Sequence, residues 1–409
     1  MNADSLTLYA GAVIPGSVMD WHSAFLTFLM RGIVRVGASI ALFTAIESAL
    51  YVVAFYRVLA LTRLGILARL GVLAAVLFVP PTMPWLAAAE KTTFMATTLA
   101  ACCACSLYLE AGARHRALLL VGVVVTAVIG TWCRPNAIII FFPIVLFTAW
   151  RARRTRRSWL APALLVAGFL AAGLGGPAAA VRTGLVVRTW PQQATMDLDL
   201  LNLSVRTGRL LIPPSILAAP YDKVEAALAI DPHVLWRLDT SLRRITTADE
   251  MRMLQSAWLA AIRQYPLVYL RERAGLYRQY LCFDLSIVCY DSWHWYTGGI
   301  DANPFGLSSR KFEPAFRFYK ALAGSVAFHP FFHVFAVAAV FAAAVALRRG
   351  VVGLYAGALL AYDLAGAFII PAATARMVVP LGLMLPLLIA ALYAEPATRR
   401  LGVAAAAAD

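Results

Sequence analysis

Arg151-Ala152-Arg153-Arg154-Thr155-Arg156-Arg157 places five arginines in seven residues, between two long apolar stretches. Loops rich in Lys and Arg stay on the cytoplasmic side of a bilayer. Putting this loop inside therefore assigns a side to every other loop, and with it to every acid or base able to do chemistry. The run is equally a solvated basic linker. It orients function and performs none.

Composition sets the class. The chain has 409 residues, of which 61% are hydrophobic and 14% charged, with a mean hydropathy of +0.74. That is too apolar for a soluble domain and points to a multi-span membrane protein. The net charge of +15 would suit nucleic acid. Its arginines, however, sit in short clusters between apolar runs, the pattern of topology signals rather than of a nucleic-acid groove. Nucleic acid is not an expected partner; membrane lipid is.

Apolar segments are predicted at 34–60, 65–86, 92–110, 116–133, 136–150, 158–180, 327–347, 351–371 and 377–394. Most approach the ~20 residues a spanning helix needs; 136–150 is short and carries Pro143. From the arginine run, 158–180 leads outward and makes 182–325 extracytoplasmic. The later segments return to Arg348-Arg349 and to Arg399-Arg400, both inside. Backwards, Arg114-His115-Arg116 and the trio Arg57, Arg63 and Arg69 also fall inside. The same alternation puts residues 1–30, Glu90-Lys91, Arg134-Pro135-Asn136 and Arg376 outside. Arg31 and Arg35 dissent, lying at the outer end of the first segment.

The fold expected is all-α and polytopic, with about nine transmembrane helices, the N-terminus outside and the C-terminus inside. A polar tail crosses a membrane behind a helix, so a further span is expected upstream of Met1. Four regions follow. Residues 1–30 are an extracytoplasmic loop with acidic motifs and 31–181 a transmembrane module. Residues 182–325 are a mostly helical extracytoplasmic region, and 326–409 hold the C-terminal transmembrane helices and a cytoplasmic tail.

Within 182–325, Met251, Leu254, Trp258 and Ile262 fall on one face at helical spacing. Pro266 interrupts, and Tyr269 to Leu281 resumes an amphipathic pattern. Tyr290, Trp293, Trp295 and Tyr296 are suited to stacking on sugar rings, and equally to an interfacial aromatic belt or a small core. Cys102, Cys103 and Cys105 share one apolar helix and read as small hydrophobes. Cys282 and Cys289 lie where an oxidising compartment permits a disulfide. On one continuous helix, their seven-residue spacing would hold them ~10 Å apart, too far to bridge.

No P-loop, Rossmann glycine pattern, HExxH or nucleophile elbow is present, and no set of metal ligands. What the outer ends of the spans do carry is a ring of polar residues. Asp4, Asp20 and His22 precede the first span; Glu90 and Lys91 open the third; Arg134 and Asn136 separate the fourth and fifth; Arg376 opens the last. Carboxylates can take a proton from an acceptor hydroxyl, while Arg and Lys can hold a phosphate and stabilise its charge as it leaves. Singly, each is an ordinary interfacial anchor or helix cap. Together on one face, beside lipid, they suit group transfer from a lipid phosphate.

The order Asp4-Ser5, then Asp20-Trp21-His22, then a span resembles the first outer loop of GT-C glycosyltransferases. These are integral membrane enzymes using polyprenyl-phosphate sugars, and include the lipid A aminoarabinose transferases and the protein O-mannosyltransferases. Thr131-Trp-Cys-Arg134-Pro-Asn136-Ala resembles the family's Arg-x-Asn-Ala/Gly segment. Asp197 to Ser204, Ala257-Trp258 with Tyr265-Pro266 to Arg271, and Ala375-Arg376 resemble stretches of bacterial members. The likeness touches most of the chain through short motifs. It departs at Ser23, where relatives often have proline, at Thr92, where many have aspartate, and at Met377, where an aromatic is usual. Loss of the acid at position 92 shifts weight onto Asp4 and Asp20.

The resemblance implies an inverting transferase of a bacterial inner membrane. Asp4 first, or Asp20, would be its general base, with His22 beside it. Lys91, Arg134, Asn136 and Arg376 would hold the donor's phosphate. The donor would be a polyprenyl-phosphate-linked sugar and the acceptor a cell-envelope glycan, lipid or protein, with no organic cofactor. The chief alternative is a secondary transporter or flippase using Glu47 and Asp363, two ionisable groups inside spans. Paired inverted halves are usual in transporters, and a ~140-residue outer insertion between six spans and three fits them poorly. A polysaccharide ligase or polymerase and a membrane scaffold are further readings.

Overall fold

A computed structural model describes residues 9–14, 18–20, 23–78, 82–86, 90–152, 159–230, 242–284, 325–369 and 378–394. Among these residues the structure is helical, with no strand and two isolated β-bridges, Met19 to Val187 and Leu217 to Leu242. In chain order the helices are α1 (Ala24–Arg35), α2 (Ile40–Leu59), α3 (Ile66–Phe78), α4 (Thr82–Leu86) and α5 (Lys91–Glu110). Then come α6 (Arg116–Cys133), α7 (Ile138–Ala152), α8 (Leu160–Arg182), α9 (Gln193–Thr207) and α10 (Tyr221–Ile230). The last five are α11 (Ala248–Gln264), α12 (Pro266–Leu281), α13 (Pro330–Ala346), α14 (Gly350–Ile369) and α15 (Val379–Leu392).

Five of these, α2, α5, α6, α8 and α14, are long and apolar enough to cross a membrane. Four shorter apolar helices, α3, α7, α13 and α15, coincide with the other predicted segments. The first segment is shorter than its apolar run. Helix α1 carries Arg31 and Arg35 and ends before α2 begins at Ile40. Arg31 donates to the carbonyls of Gly11 (2.7 Å) and Ala12 (3.2 Å), so this dissenting arginine ties down the preceding stretch.

Prolines set several of the breaks. A residue before proline is pushed into extended backbone, because the ring crowds its helical conformation. Arg134, before Pro135, has φ −144° and ψ 117° and ends α6. Tyr265, before Pro266, separates α11 from α12, and His329, before Pro330, precedes α13.

Helix α5 is the axis of the bundle: 78% of its apolar window is buried, against 11% for peripheral α8. In a bilayer the hydrophobic effect does not drive helices together, so close packing and interhelical hydrogen bonds must. The buried face of α5 supplies both, through Ala96, Thr97, Ala100, Cys103 and Ser106. Ser106 Oγ lies 2.9 Å from the Tyr355 hydroxyl of α14, which itself donates to Cys102 Sγ at 3.2 Å. Two glycines permit contacts that no side chain would. A Cβ on Gly130 would lie 2.2 Å from the Phe141 ring, and one on Gly382 would lie 2.1 Å from Trp85.

Residues from α9 to α12 form a second core around Leu200, Leu203, Met251 and Leu254. Met251 and Leu254 of the expected apolar face are buried, with Trp258 and Ile262 packed beside them. A capping box starts α11: Thr247 accepts from the Glu250 backbone, and Glu250 accepts from that of Thr247. Inside this core Arg273 donates to Asp199 Oδ2 at 2.6 Å, and Trp258 Nε1 donates to the same oxygen at 2.8 Å. Both members of the ion pair are almost fully buried.

The contacts sort the bundle's ends. At one end Arg151 pairs with Glu110 (3.1 Å), and the Tyr108 hydroxyl donates to the Arg57 carbonyl (3.3 Å). These are loops assigned to one side by their charge. At the opposite end Ser23 Oγ donates to the Trp132 carbonyl at 2.9 Å, beside Arg134.

Candidate functional site

The end of the bundle opposite the arginine loops gathers most of the described polar residues singled out in the sequence. The pre-proline break frees Arg134 from α6 and turns its side chain toward α14. There Arg134 Nη1 donates to the Tyr362 hydroxyl at 3.1 Å. The next residue, Asp363, is almost fully buried and accepts from two phenols of α12, Tyr277 to Oδ2 and Tyr280 to Oδ1 (2.7 Å). Burial first, with the Asp363 carboxylate adding to it, raises both phenols above the ordinary tyrosine range. They therefore stay protonated and can donate. An arginine, a carboxylate and three phenols thus join α6, α12 and α14.

Glu90 is the N-cap of α5, with Lys91 the first residue of that helix. Glu90 is buried, and the Thr92 hydroxyl donates to its Oε1 at 3.4 Å. Thr92, where the resembled family often has aspartate, thus serves an acid already present. Glu47 of α2 lies close to both Glu90 and Cys133. It is fully buried, and neither of its oxygens has a hydrogen-bond partner among the described residues. Asn136 lies half-buried in the 3-10 turn Pro135–Ala137 that follows Arg134.

Asp20 is engaged elsewhere. Its Oδ1 accepts from the backbone N–H of Thr189 (2.5 Å) and from the Thr189 hydroxyl (2.6 Å), and Arg188 Nε lies 3.3 Å from Oδ2. The Arg188 guanidinium in turn sits 4.3 Å from the centre of the Trp190 ring. With the bonds Asp20 N–H to Val187 and Val187 N–H to Val18, this fastens residues 18–20 to the start of the region between α8 and α9. Asp4, His22, Arg376 and the Tyr290–Tyr296 aromatics lie outside the described residues.

Two features were not anticipated. The tyrosine partners of Asp363 belong to the amphipathic α12, whose sequence gives no sign of an acid 83 and 86 positions away. Asp197 in α9 is raised to about 7 by burial, which outweighs a hydrogen bond from Gln193; its Oδ1 is buried without a partner among the described residues. At Cys282 the expected obstacle to a disulfide disappears. Helix α12 stops there in a left-handed turn (φ 50°), and Cys282 is disulfide-bonded. Cys289 lies outside the described residues. Cys102 and Cys103 are free thiols buried in the bundle.

No protein-family model, curated protein or solved structure matches the chain.

Proposed function

We propose that the chain is a GT-C-type glycosyltransferase of a bacterial inner membrane. It would move a sugar from a polyprenyl-phosphate donor to a cell-envelope glycan, lipid or protein on the extracytoplasmic face. The observation that carries this reading is the placing of Arg134 at the end of the bundle where helical α12 docks, opposite the arginine-rich loops. In this reading α3, α7, α13 and α15 also cross, the bilayer thinning locally around short helices, to give nine spans.

The chemistry uses groups of known reactivity. Arg134, with Lys91 and Asn136, holds the donor phosphate through charge-assisted hydrogen bonds. The acceptor hydroxyl attacks the sugar's anomeric carbon from the face opposite the phosphate, the carbon–oxygen bond to phosphate breaks, and configuration inverts. Negative charge grows on the departing polyprenyl phosphate, where a fixed guanidinium stabilises it. The hydroxyl proton passes to a carboxylate. Asp20 already holds three partners, so it serves as base only once Arg188 leaves Oδ2; Asp4 is the first candidate.

Glu47 favours a second reading. An acid buried among helices without a hydrogen bond is costly and is a common feature of ion-coupled transport. Asp363, bound to two tyrosines, is instead a structural tie. The test is mass spectrometry of the purified chain for bound lipid-linked sugar, followed by turnover in detergent. Sugar transfer without an ion gradient supports the transferase. Gradient-dependent uptake in vesicles, with no transfer, supports the transporter.

A further inference from the structure

Two apolar grooves flank the turn between α13 and α14, and they share a single residue, Arg349. The first, about 560 Å³, lies between α7, α13 and α14, and is lined by Pro143, Phe147, Phe341, Leu354 and Ala358. The second, about 880 Å³, lies between α2, α3, α13 and α15, with Val76, Leu385 and Ile389 among its walls. Both volumes fall in the ~300–1,000 Å³ range of ligand sites. Among the described residues neither groove is lined by a carboxylate.

Cations gather where the grooves meet. Arg348 and Arg349 line the first, and Arg349 and Arg63 line the second. Neither Arg348 nor Arg349 has a carboxylate partner among the described residues. Arg348 also closes α13 in the left-handed region, at φ 55°. Glycine is the usual occupant of such a cap, since a side chain there is strained. An arginine held at that position aims a charge at the membrane interface at a cost in backbone energy.

The groove lengths suit lipid tails. From Gly350 to Ala361 the first groove follows α14 for ~16 Å at 1.5 Å per residue, close to the ~15 Å depth of one leaflet. From Leu392 back to Gly382 the second follows α15 for ~15 Å at the same rise. Phe341 and Val345 of the first, and Ile389 of the second, are exposed, so both open toward the bilayer.

We propose that the α13–α14 turn seats one two-chain anionic phospholipid, its phosphate on Arg348 and Arg349 and one acyl chain in each groove. Guanidinium pairs bind phosphate in a bidentate fashion that a zwitterionic headgroup, carrying its own ammonium, offsets. A single-chain isoprenoid phosphate would fill only one groove. The seat lies at the arginine end of the bundle, away from the candidate active site, so it holds whichever reaction that site performs.

The test uses the full chain in nanodiscs of mixed phosphatidylglycerol and phosphatidylcholine. Native mass spectrometry should find phosphatidylglycerol retained over phosphatidylcholine by about tenfold or more. The variant Arg348→Gly/Arg349→Gln should lose that preference, and because glycine relieves the left-handed backbone, it should fold at least as well. Phosphatidylglycerol with photoreactive acyl chains should label Leu354 or Ala358 in one groove and Leu385 or Ile389 in the other. Equal retention of the two lipids overturns the proposal, as does a preference that survives in the variant. Labelling confined to one groove, or spread evenly along α8, overturns it too.

Discussion

Tyr280 donates its phenolic hydrogen to Asp363 Oδ1 at 2.7 Å, across 83 residues of sequence. With Tyr277 on the second oxygen, the bond fastens a helix of the intervening region to a helix of the bundle. One turn of α14 then carries two connections: Asp363 to α12, and Tyr362 to Arg134 of α6. Anything that displaces α12 is felt at the arginine proposed to hold the donor.

Removing either phenol should therefore loosen this joint. Tyr280→Phe leaves Asp363 with one donor, and a hydrogen bond to a charged group is worth ~1.5–3 kcal/mol. The double change Tyr277→Phe/Tyr280→Phe should cost more than the sum of the single ones, since the acid is then buried without a partner. Limited proteolysis near α12, compared across the three variants, reads the effect. Unchanged cleavage rates in the double variant would show that the joint carries no load.

The Arg273–Asp199 pair should be the most sensitive point of the second core. Breaking a buried ion pair from one side typically costs ~3–5 kcal/mol, because the remaining buried charge loses its countercharge. Arg273→Met or Asp199→Leu should accordingly unfold α9–α12 at lower denaturant, and Asp199→Leu also removes the acceptor of Trp258. The pair Arg273→Met/Asp199→Leu should recover much of the loss. Tryptophan fluorescence during urea titration makes the comparison, and a double variant no better than the singles would refute it.

Asp197 predicts a pH dependence whose sign can be worked out. Burial raises this acid to about 7, above its ordinary 3.8. Between those values the folded chain holds the proton more tightly than the unfolded chain. Its contribution to stability is thus fully present below about pH 4 and lost as pH rises through about 7. Asp197→Asn should remove that slope, gaining at most roughly 4 kcal/mol over wild type at pH 8 relative to pH 4, and less because solvent screens this half-buried acid. Thermal denaturation of both proteins across this range is the measurement. Parallel profiles would contradict the assignment.

Under the proposed reaction, Arg134→Ala should weaken donor binding by roughly tenfold to a hundredfold, the loss of a charged hydrogen bond. Arg134→Lys should recover part of it, keeping the charge but not the planar fork. Titration of purified protein with lipid-linked sugar separates this from a folding defect, provided melting temperatures are compared alongside. Equal affinity in wild type and Arg134→Ala would remove Arg134 from the site.

Glu47→Gln distinguishes the two readings. Glutamine keeps the shape and removes a buried acid that has no hydrogen-bond partner among the described residues, so the variant should be at least as stable. A transferase whose base lies in the outer loop should retain its turnover. Loss of all activity in this variant, with folding intact, would favour ion-coupled transport.

Local rules made a good part of the architecture readable in the chain. Apolar length marked nine segments, and an apolar helix stands at each, five of them long enough to cross a membrane. Proline marked the breaks at Arg134 and Tyr265, since its ring acts on the neighbouring residue whatever the fold; the break at His329 fell inside an apolar run read as continuous. Helical spacing found the buried face of α11. Boundaries were less legible: Arg31 and Arg35 belong to the separate helix α1, and the α1–α2 turn leaves no mark in hydropathy.

What the sequence determined by itself was therefore the helical class, the helix breaks and the two charge-sorted sets of loops. Each depends on residues within a few positions of one another. Tertiary structure alone decided which residues meet. Asp20 goes to Thr189 and Arg188, Arg134 goes to Tyr362, and Asp363 goes to two tyrosines of a helix outside the apolar segments. These partners lie 83 to 228 positions apart, apart from nothing local that pairs them. A lone acid in an apolar helix announces that it needs a donor, but any tyrosine, serine or arginine could supply one. Only the packing of α12 and α6 against α14 selects among them, through shape and backbone approach that no local pattern encodes.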